Sequence, residues 1–239
     1  MLLRFNDNGS LDPTFGSGGT VTTSFGGAAT WGVALAFQAD GKLLAGGLTS
    51  SDSYFQNSDF ALARYETGGF VLTGAVSRKI HGGAGTFDIN LPLSGAPGVE
   101  CRDGAGHHTF VFTFNSNIAD GSVSVAGGSG TMSRSPTFVG NTMSVDVANV
   151  SDVQTLTLML SNVTDEFSRQ LPPTSINVNM LIGDTNGNKS VNTSDIGQSK
   201  GQSGGAVTSA NFRQDVNANG VISASDIALV KSKAGNTLP

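Results

Sequence analysis

Gln154-Thr155-Leu156-Thr157-Leu158-Met159-Leu160-Ser161 places a leucine at every second position. Successive side chains of a strand point to opposite faces, so a period of two marks a strand with one buried face. The same step recurs on both sides of this stretch. Phe87, Ile89 and Leu91 share one face, as do Phe110, Phe112 and Phe114. Val123 and Val125 follow, then Met143, Val145 and Val147, and Ile176, Val178 and Met180 close the series. Gly, Asn, Ser and Pro separate these runs. Six or seven such strands over residues 72–180 have the spacing of an antiparallel β-sandwich.

That segment has the size of one immunoglobulin-like domain. It lacks the Cys…Trp…Cys pattern of antibody domains, so the Ig-like expectation rests on period and spacing. The one tryptophan, Trp31, and the one cysteine, Cys101, are not placed for it. A single cysteine excludes an intramolecular disulfide and a Cys-based zinc cluster. Cys101 reads as a half-buried small residue of a strand or loop.

Composition agrees with a strand-rich chain. Of 239 residues 33 are Gly, about twice the usual share. Of the 18 acids only Glu66, Glu100 and Glu166 are Glu, so fifteen are Asp. Asp, Asn and Gly are turn residues, whereas Glu and Lys favour helices. The formal net charge is −5, with 13 basic residues. No basic excess exists to grip nucleic acid. No apolar run approaches the roughly 18 residues of a membrane span. No secretory signal is read at Met1-Leu2-Leu3-Arg4-Phe5-Asn6.

An internal repeat divides the N-terminal third. Leu2-Leu3-Arg4-Phe5-Asn6-Asp7-Asn8-Gly9 returns as Leu62-Ala63-Arg64-Tyr65-Glu66-Thr67-Gly68-Gly69, 60 residues on. Between them lie a turn, Ser10-Leu11-Asp12-Pro13-Thr14-Phe15-Gly16, and an Asp40-Gly41 hairpin signal flanked by apolar runs. One such unit cannot bury its own faces, and about three copies are usually needed. Residues 1–71 therefore read as an incomplete repeat, expected of the remainder of a longer protein. They resemble the bacterial extracellular delta-sixty repeat, over about residues 2–70. The resemblance implies a propeller-like β fold of secreted or surface proteins and no particular activity.

A second repeat, offset by 31 residues, carries the chemistry. Asp184-Thr185-Asn186-Gly187-Asn188-Lys189-Ser190-Val191-Asn192-Thr193-Ser194-Asp195 returns as Asp215-Val216-Asn217-Ala218-Asn219-Gly220-Val221-Ile222-Ser223-Ala224-Ser225-Asp226. Each copy puts oxygen side chains at loop positions 1, 3, 5, 9 and 12 and an apolar residue at 8, which is calcium-loop spacing. Calcium takes six to eight oxygens at about 2.3–2.6 Å, and alternate residues of a tight loop aim inward. Asp184, Asn186 and Asn188 can thus converge on one ion, and Asp215, Asn217 and Asn219 on another. Ser190 and Val221 would contribute carbonyls. Asn192 and Ser223 suit helix N-caps, with Asp195 and Asp226 three residues later. Val191 and Ile222 are expected to bridge the two loops as a short β-pair. Magnesium, which demands an octahedral site, suits such a cage less well.

Neither loop is entered from an amphipathic helix, so each is a half-hand of loop then helix. Residues 181–239 resemble a type I dockerin, a duplicated loop–helix module related to the EF-hand and called an F-hand. The resemblance implies calcium at Asp184, Asn186, Asn188, Asn192 and Asp195, and at Asp215, Asn217, Asn219, Ser223 and Asp226. It also implies a cohesin-facing set, Thr193, Ser194 and Lys200 in one copy and Ala224, Ser225 and Lys231 in the other. Dockerins belong to secreted or cell-surface proteins of polysaccharide degradation, which implies that setting here. The family usually has Asp at position 5, where Asn188 and Asn219 stand. Two carboxylates per loop imply a Kd on the order of 10⁻⁵–10⁻³ M. Gly197, Gly201 and Gly204 are expected to weaken the first helix.

No catalytic constellation is read. H-E-x-x-H, a Walker loop and a dinucleotide fingerprint are all missing. His107-His108 reads as a pair of loop residues at a strand start. Glu100, Asp103 and Glu166 are the middle segment's candidate carboxylates for sugar chemistry, and nothing in the pattern pairs them. The expectation is a mainly β chain with a small helical calcium module, non-catalytic, carrying two calcium ions and attaching to a cohesin-like partner. Two other readings stay open. One is a calcium-stabilised structural cap. The other is the C-terminal part of a secreted glycoside hydrolase, an enzyme acting on O-glycosyl compounds, where carbohydrate contact would follow.

Overall fold

Leu156, Leu158 and Leu160 are each 0% exposed, as the alternation requires. The computed structural model describes residues 1–6, 8–13, 15–38, 42–54, 56–65, 68–166 and 169–239. They fall into two compact units. One holds Met1–Val71 with Thr164–Gln170, the other Leu72–Val163 with Leu171–Pro239.

The first unit contains β1 (Leu2–Leu3), β2 (Thr20–Val21), β3 (Ala29–Phe37), β4 (Leu43–Ser50) and β5 (Ser58–Tyr65). β1 pairs with β2, and β3-β4-β5 form an antiparallel sheet with a bulge between Gly32 and Ala34. The Gln38 N–H donates to the Lys42 carbonyl (2.8 Å), closing β3 onto β4. The expected turn residues Asp40 and Gly41 lie outside the described residues, as do Asp7, Thr14, Glu66 and Thr67 of the repeat. The motif arginine has a physical role: Arg4 pairs with Asp12 (2.7 Å) and lies over the Phe15 ring. Trp31, Phe37 and Phe60 are 64%, 77% and 74% exposed.

The second unit is built from two sheets and two helices. Its strands are β6 (Leu72–His81), β7 (Gly85–Asn90), β8 (Gly98–Glu100), β9 (His108–Phe114), β10 (Ile118–Gly127), β11 (Thr131–Met132), β12 (Thr137–Val139), β13 (Thr142–Ala148), β14 (Gln154–Asp165) and β15 (Thr174–Met180). One sheet runs β11-β13-β9-β6-β7, with β12 also on β13; the other runs β10-β14-β15-β8. β6 pairs antiparallel with β7 and β9, β13 with β9, β11 and β12, and β14 with β15, while β15 and β8 pair parallel. Phe110, Phe112, Met143 and Val147 of the first sheet and Ile176 and Val178 of the second are at most 2% exposed. The faces meet closely enough that a Cβ at Gly121 on β10 would strike the Met143 side chain on β13. Each fully buried Leu or Phe contributes about 1.5–3 kcal/mol.

Two helices complete the second unit, α1 (Thr193–Gln202) and α2 (Ala224–Lys233). β15 runs straight into the first loop, and a single 3₁₀ turn, Phe212–Gln214, precedes the second. Gly197 and Gly201 lie within α1. Gly204 lies beyond its end with φ +82°, so it shapes the exit rather than weakening the helix. Leu181, Val191, Val216, Val230 and Leu238 form a small core that also takes in Val99 of β8.

Three expectations need correcting. Val191 and Ile222 do not pair with each other. Ser190 bridges Thr237, while Val221 bridges Ala206. The Val191 N–H donates to Asn236 and the Gly204 N–H donates to Ile222. Each loop thus spends its extended backbone on the chain that follows a helix, which leaves none for the other loop. Cys101 is fully buried, not half-buried, and burial pushes its thiol up to about 11. His108 is also buried, as the first residue of β9, while His107 is exposed.

Candidate metal centre

Each loop is organised by a carboxylate at its start. Asp184 Oδ1 accepts from the Gly187 and Asn188 N–H groups (2.9 and 3.1 Å), and its Oδ2 accepts from Lys189 (2.8 Å). In the second loop Asp215 Oδ1 accepts from Asn219 (3.1 Å) and Oδ2 from Gly220 (2.8 Å). Curling the backbone this tightly needs left-handed residues at positions 4 and 6. They are Gly187 and Lys189 in one copy, Ala218 and Gly220 in the other.

The last carboxylate of each loop reaches back. Asp195 Oδ1 accepts from Asn186 (3.2 Å) and Oδ2 from Asn192 (3.0 Å). Asp226 repeats this with Asn217 (3.1 Å) and Ser223 (2.9 Å). Asn192 and Ser223 cap α1 and α2, and each forms a capping box with that carboxylate. The position-3 and position-5 amides serve the loop too. Asn186 Oδ1 accepts from Asn188 and Asn188 Oδ1 from Ser190; Asn217 Oδ1 accepts from Asn219 and Asn219 Oδ1 from Val221. The sequence repeat is therefore a repeat of hydrogen bonds.

The donor set fits a hard divalent cation. Asp184, Asp195, Asp215 and Asp226 are all 0% exposed. Among the described residues, Asp184, Asp195 and Asp226 have no basic side chain within ion-pair range. Burial pushes the Asp184 carboxyl above its ordinary value, and the nearby Asp195 charge adds to that rise against the loop hydrogen bonds. Two uncompensated carboxylates in one buried loop are costly unless a cation joins them. No three His, Cys, Asp or Glu side chains cluster as a metal site among the described residues. A bound ion would thus draw on amide and carbonyl oxygens, which suits calcium.

The residues expected to face a partner are all exposed: Thr193, Ser194 and Lys200 on α1, Ala224, Ser225 and Lys231 on α2. The Ser225 hydroxyl accepts from the Asn217 side chain (2.9 Å), which ties it to its loop.

Residues 182–234 match the model of the dockerin type I domain. Residues 38–71 match a domain of unknown function described as a beta-propeller. Among curated proteins and among solved structures, none matches the chain. No described helix is long and apolar enough to cross a membrane.

The dockerin-type module is seated on the sandwich by residues that sequence reasoning missed. His81, the last residue of β6, lies with Nδ1 2.8 Å from Asp215 Oδ2, both side chains fully buried. Arg102 donates to Glu100 twice (2.8 and 2.6 Å), to the Phe87 and Ser77 carbonyls (each 2.8 Å) and towards His81 Nε2 (3.3 Å). The Ser77 hydroxyl also donates to Glu100. Phe87 stacks on Phe212 at 5.3 Å, and His81 stands edge-on to both rings. Arg213 donates to the carbonyls of Thr185, Asp184 and Val99, linking the first loop to β8. Glu100 is thus sealed in an ion pair, not presented to a ligand. The only sequence hint of this contact is Gly82-Gly83 after His81. At Gly82, φ is +48° and an added Cβ would collide with the Asn219 carbonyl.

Proposed function

We propose that this chain is a non-catalytic extracellular modular protein whose dockerin-type module binds two calcium ions and attaches it to a cohesin-type partner. The observation that carries the reading is the paired set of loops, alike in the backbone hydrogen bonds of their position-3, position-5, position-9 and position-12 residues, each with two buried carboxylates. Asp184, Asn186, Asn188, Asn192 and Asp195, with the Ser190 carbonyl, would hold one ion. Asp215, Asn217, Asn219, Ser223 and Asp226, with the Val221 carbonyl, would hold the other. Calcium, when bound, supplies positive charge that neutralises each carboxylate pair and locks the loop. Asp195 and Asp226 serve loop and helix together, so order in the loop fixes where each helix starts. That fixes Thr193, Ser194, Ala224 and Ser225, the exposed residues of the two helix starts. A secreted, polysaccharide-degrading setting is part of this proposal, by the company dockerins keep.

A second reading is a calcium-stabilised cap with no separate partner. It is favoured by the core that the module shares with Val99 of the sandwich. Binding of the full chain to a type I cohesin domain, in calcium and in chelator, separates the two. The attachment reading expects calcium-dependent capture that weakens when Thr193, Ser194, Lys200 and Lys231 are replaced by alanine. Equal, negligible capture under all conditions would leave the cap.

A further inference from the structure

The two loops ask for the same support and receive it from different places. Asp184 takes three backbone donors, all from its own loop: Gly187, Asn188 and Lys189. Asp215 takes two from its loop, Asn219 and Gly220. The residue matching Gly187 is Ala218, and its N–H goes to the Asp215 carbonyl instead (3.1 Å). The third donor to the Asp215 carboxylate is His81 Nδ1, from the sandwich. Among the described residues, the position-1 carboxylate of the second loop takes a donor from the sandwich and that of the first does not.

The hydrogen bonds around His81 also fix its tautomer. A guanidinium can only donate, so Nε2 facing Arg102 must carry the lone pair. Nδ1 then carries the proton, which points to the Asp215 carboxylate. Glu100 and the Ser77 carbonyl hold Arg102 in place in turn. Backbone packing fixes the approach. Gly82 abuts the Asn219 carbonyl, and a Cβ at Gly220 would strike the His81 carbonyl. The imidazole is thus a rigid, neutral donor aimed at one oxygen of one loop.

Resting on the calcium reading above, we propose that His81 is a positioning residue for the second calcium loop: the sandwich supplies the donor that orients Asp215, while the first loop orients Asp184 by itself. The two sites are therefore unequal, and occupancy of the second is coupled to seating of the module on the sandwich. Partners that orient a ligand in this way are typically worth 10- to 100-fold in metal affinity.

The test is calcium titration of the full chain with the sites read one at a time. Asp184→Ala leaves the second site to be read, and Asp215→Ala leaves the first. Adding His81→Ala to the Asp184→Ala chain should weaken the remaining site about tenfold or more. Adding it to the Asp215→Ala chain should leave the affinity within twofold. His81→Asn, whose amide N–H can stand where Nδ1–H stands, should restore most of the loss. Equal weakening of both sites, or no weakening of the second, or no rescue by asparagine, would overturn the proposal. Absence of calcium binding to the unmodified chain would instead sink the calcium reading itself, and this inference with it.

Discussion

Replacing Arg102 by methionine should destabilise the second unit by about 3–5 kcal/mol at pH 7, the usual cost of removing one partner from a buried ion pair. Arg102 and Glu100 are both 0% exposed and bridged by two hydrogen bonds. Burial alone would raise the Glu100 carboxyl, but the charge and hydrogen bonds of Arg102 outweigh it and hold the group at about 2, against an ordinary 4.5. At 1.36 kcal/mol per pH unit this drop corresponds to about 3 kcal/mol in favour of the charged form. Because the folded value lies below the unfolded one, that stability is present above pH 4.5 and lost as pH falls from 4.5 towards 2. Without Arg102, the largest opposition to burial is gone and the Ser77 hydroxyl is left as the side-chain donor to Glu100, so the variant should be weakest at neutral pH and approach the parent in acid. Adding Glu100→Leu should return most of the loss, because a well-packed apolar pair can replace a buried ion pair. The assay is urea unfolding followed by hydrogen exchange of β9 and β14 amides. Trp31, Tyr54 and Tyr65 all lie in the first unit, so intrinsic fluorescence would report the wrong transition. A loss under about 1 kcal/mol, or a double variant as weak as the sum of its parts, would refute the reasoning.

Two further outcomes follow from the same region. Burial pushes His108 down to about 4, and its Nδ1 has no hydrogen-bond partner. A lowered histidine gives stability that is intact above pH 6.5 and falls as pH drops towards 4, by about 3 kcal/mol if the whole shift is expressed. His108→Phe should flatten that stretch of the stability–pH curve of the second unit. Gly82→Ala should cost about 1–3 kcal/mol, since it adds backbone strain at φ +48° and a clash with Asn219. Hydrogen exchange should show faster opening of residues 215–222 with the core of the sandwich unchanged.

The strands were legible because their signal is local. Phe110, Phe112 and Phe114 need only alternate, and all three are buried. The caps were legible for the same reason: Asn192 and Asp195, like Ser223 and Asp226, are three residues apart and meet by helix geometry alone. The pairing of Val191 with Ile222 failed because extended loop backbone accepts any neighbouring chain, and local sequence does not say which one arrives. His81 was invisible for a stronger reason. It is 134 residues from Asp215, and only the closure of the sandwich against the module brings them together. The burial of Cys101 and Arg102 follows from that contact and was hidden with it.

If the duplicated loops are two calcium sites, both must fill when the ion is returned to the stripped chain. Calorimetric titration of calcium into the chelator-stripped full chain tests it most directly. Two ions per chain are expected, with Kd values on the order of 10⁻⁵–10⁻³ M set by only two carboxylates in each loop. Heat no larger than dilution, or a single site that survives loss of both Asp184 and Asp215, would contradict it.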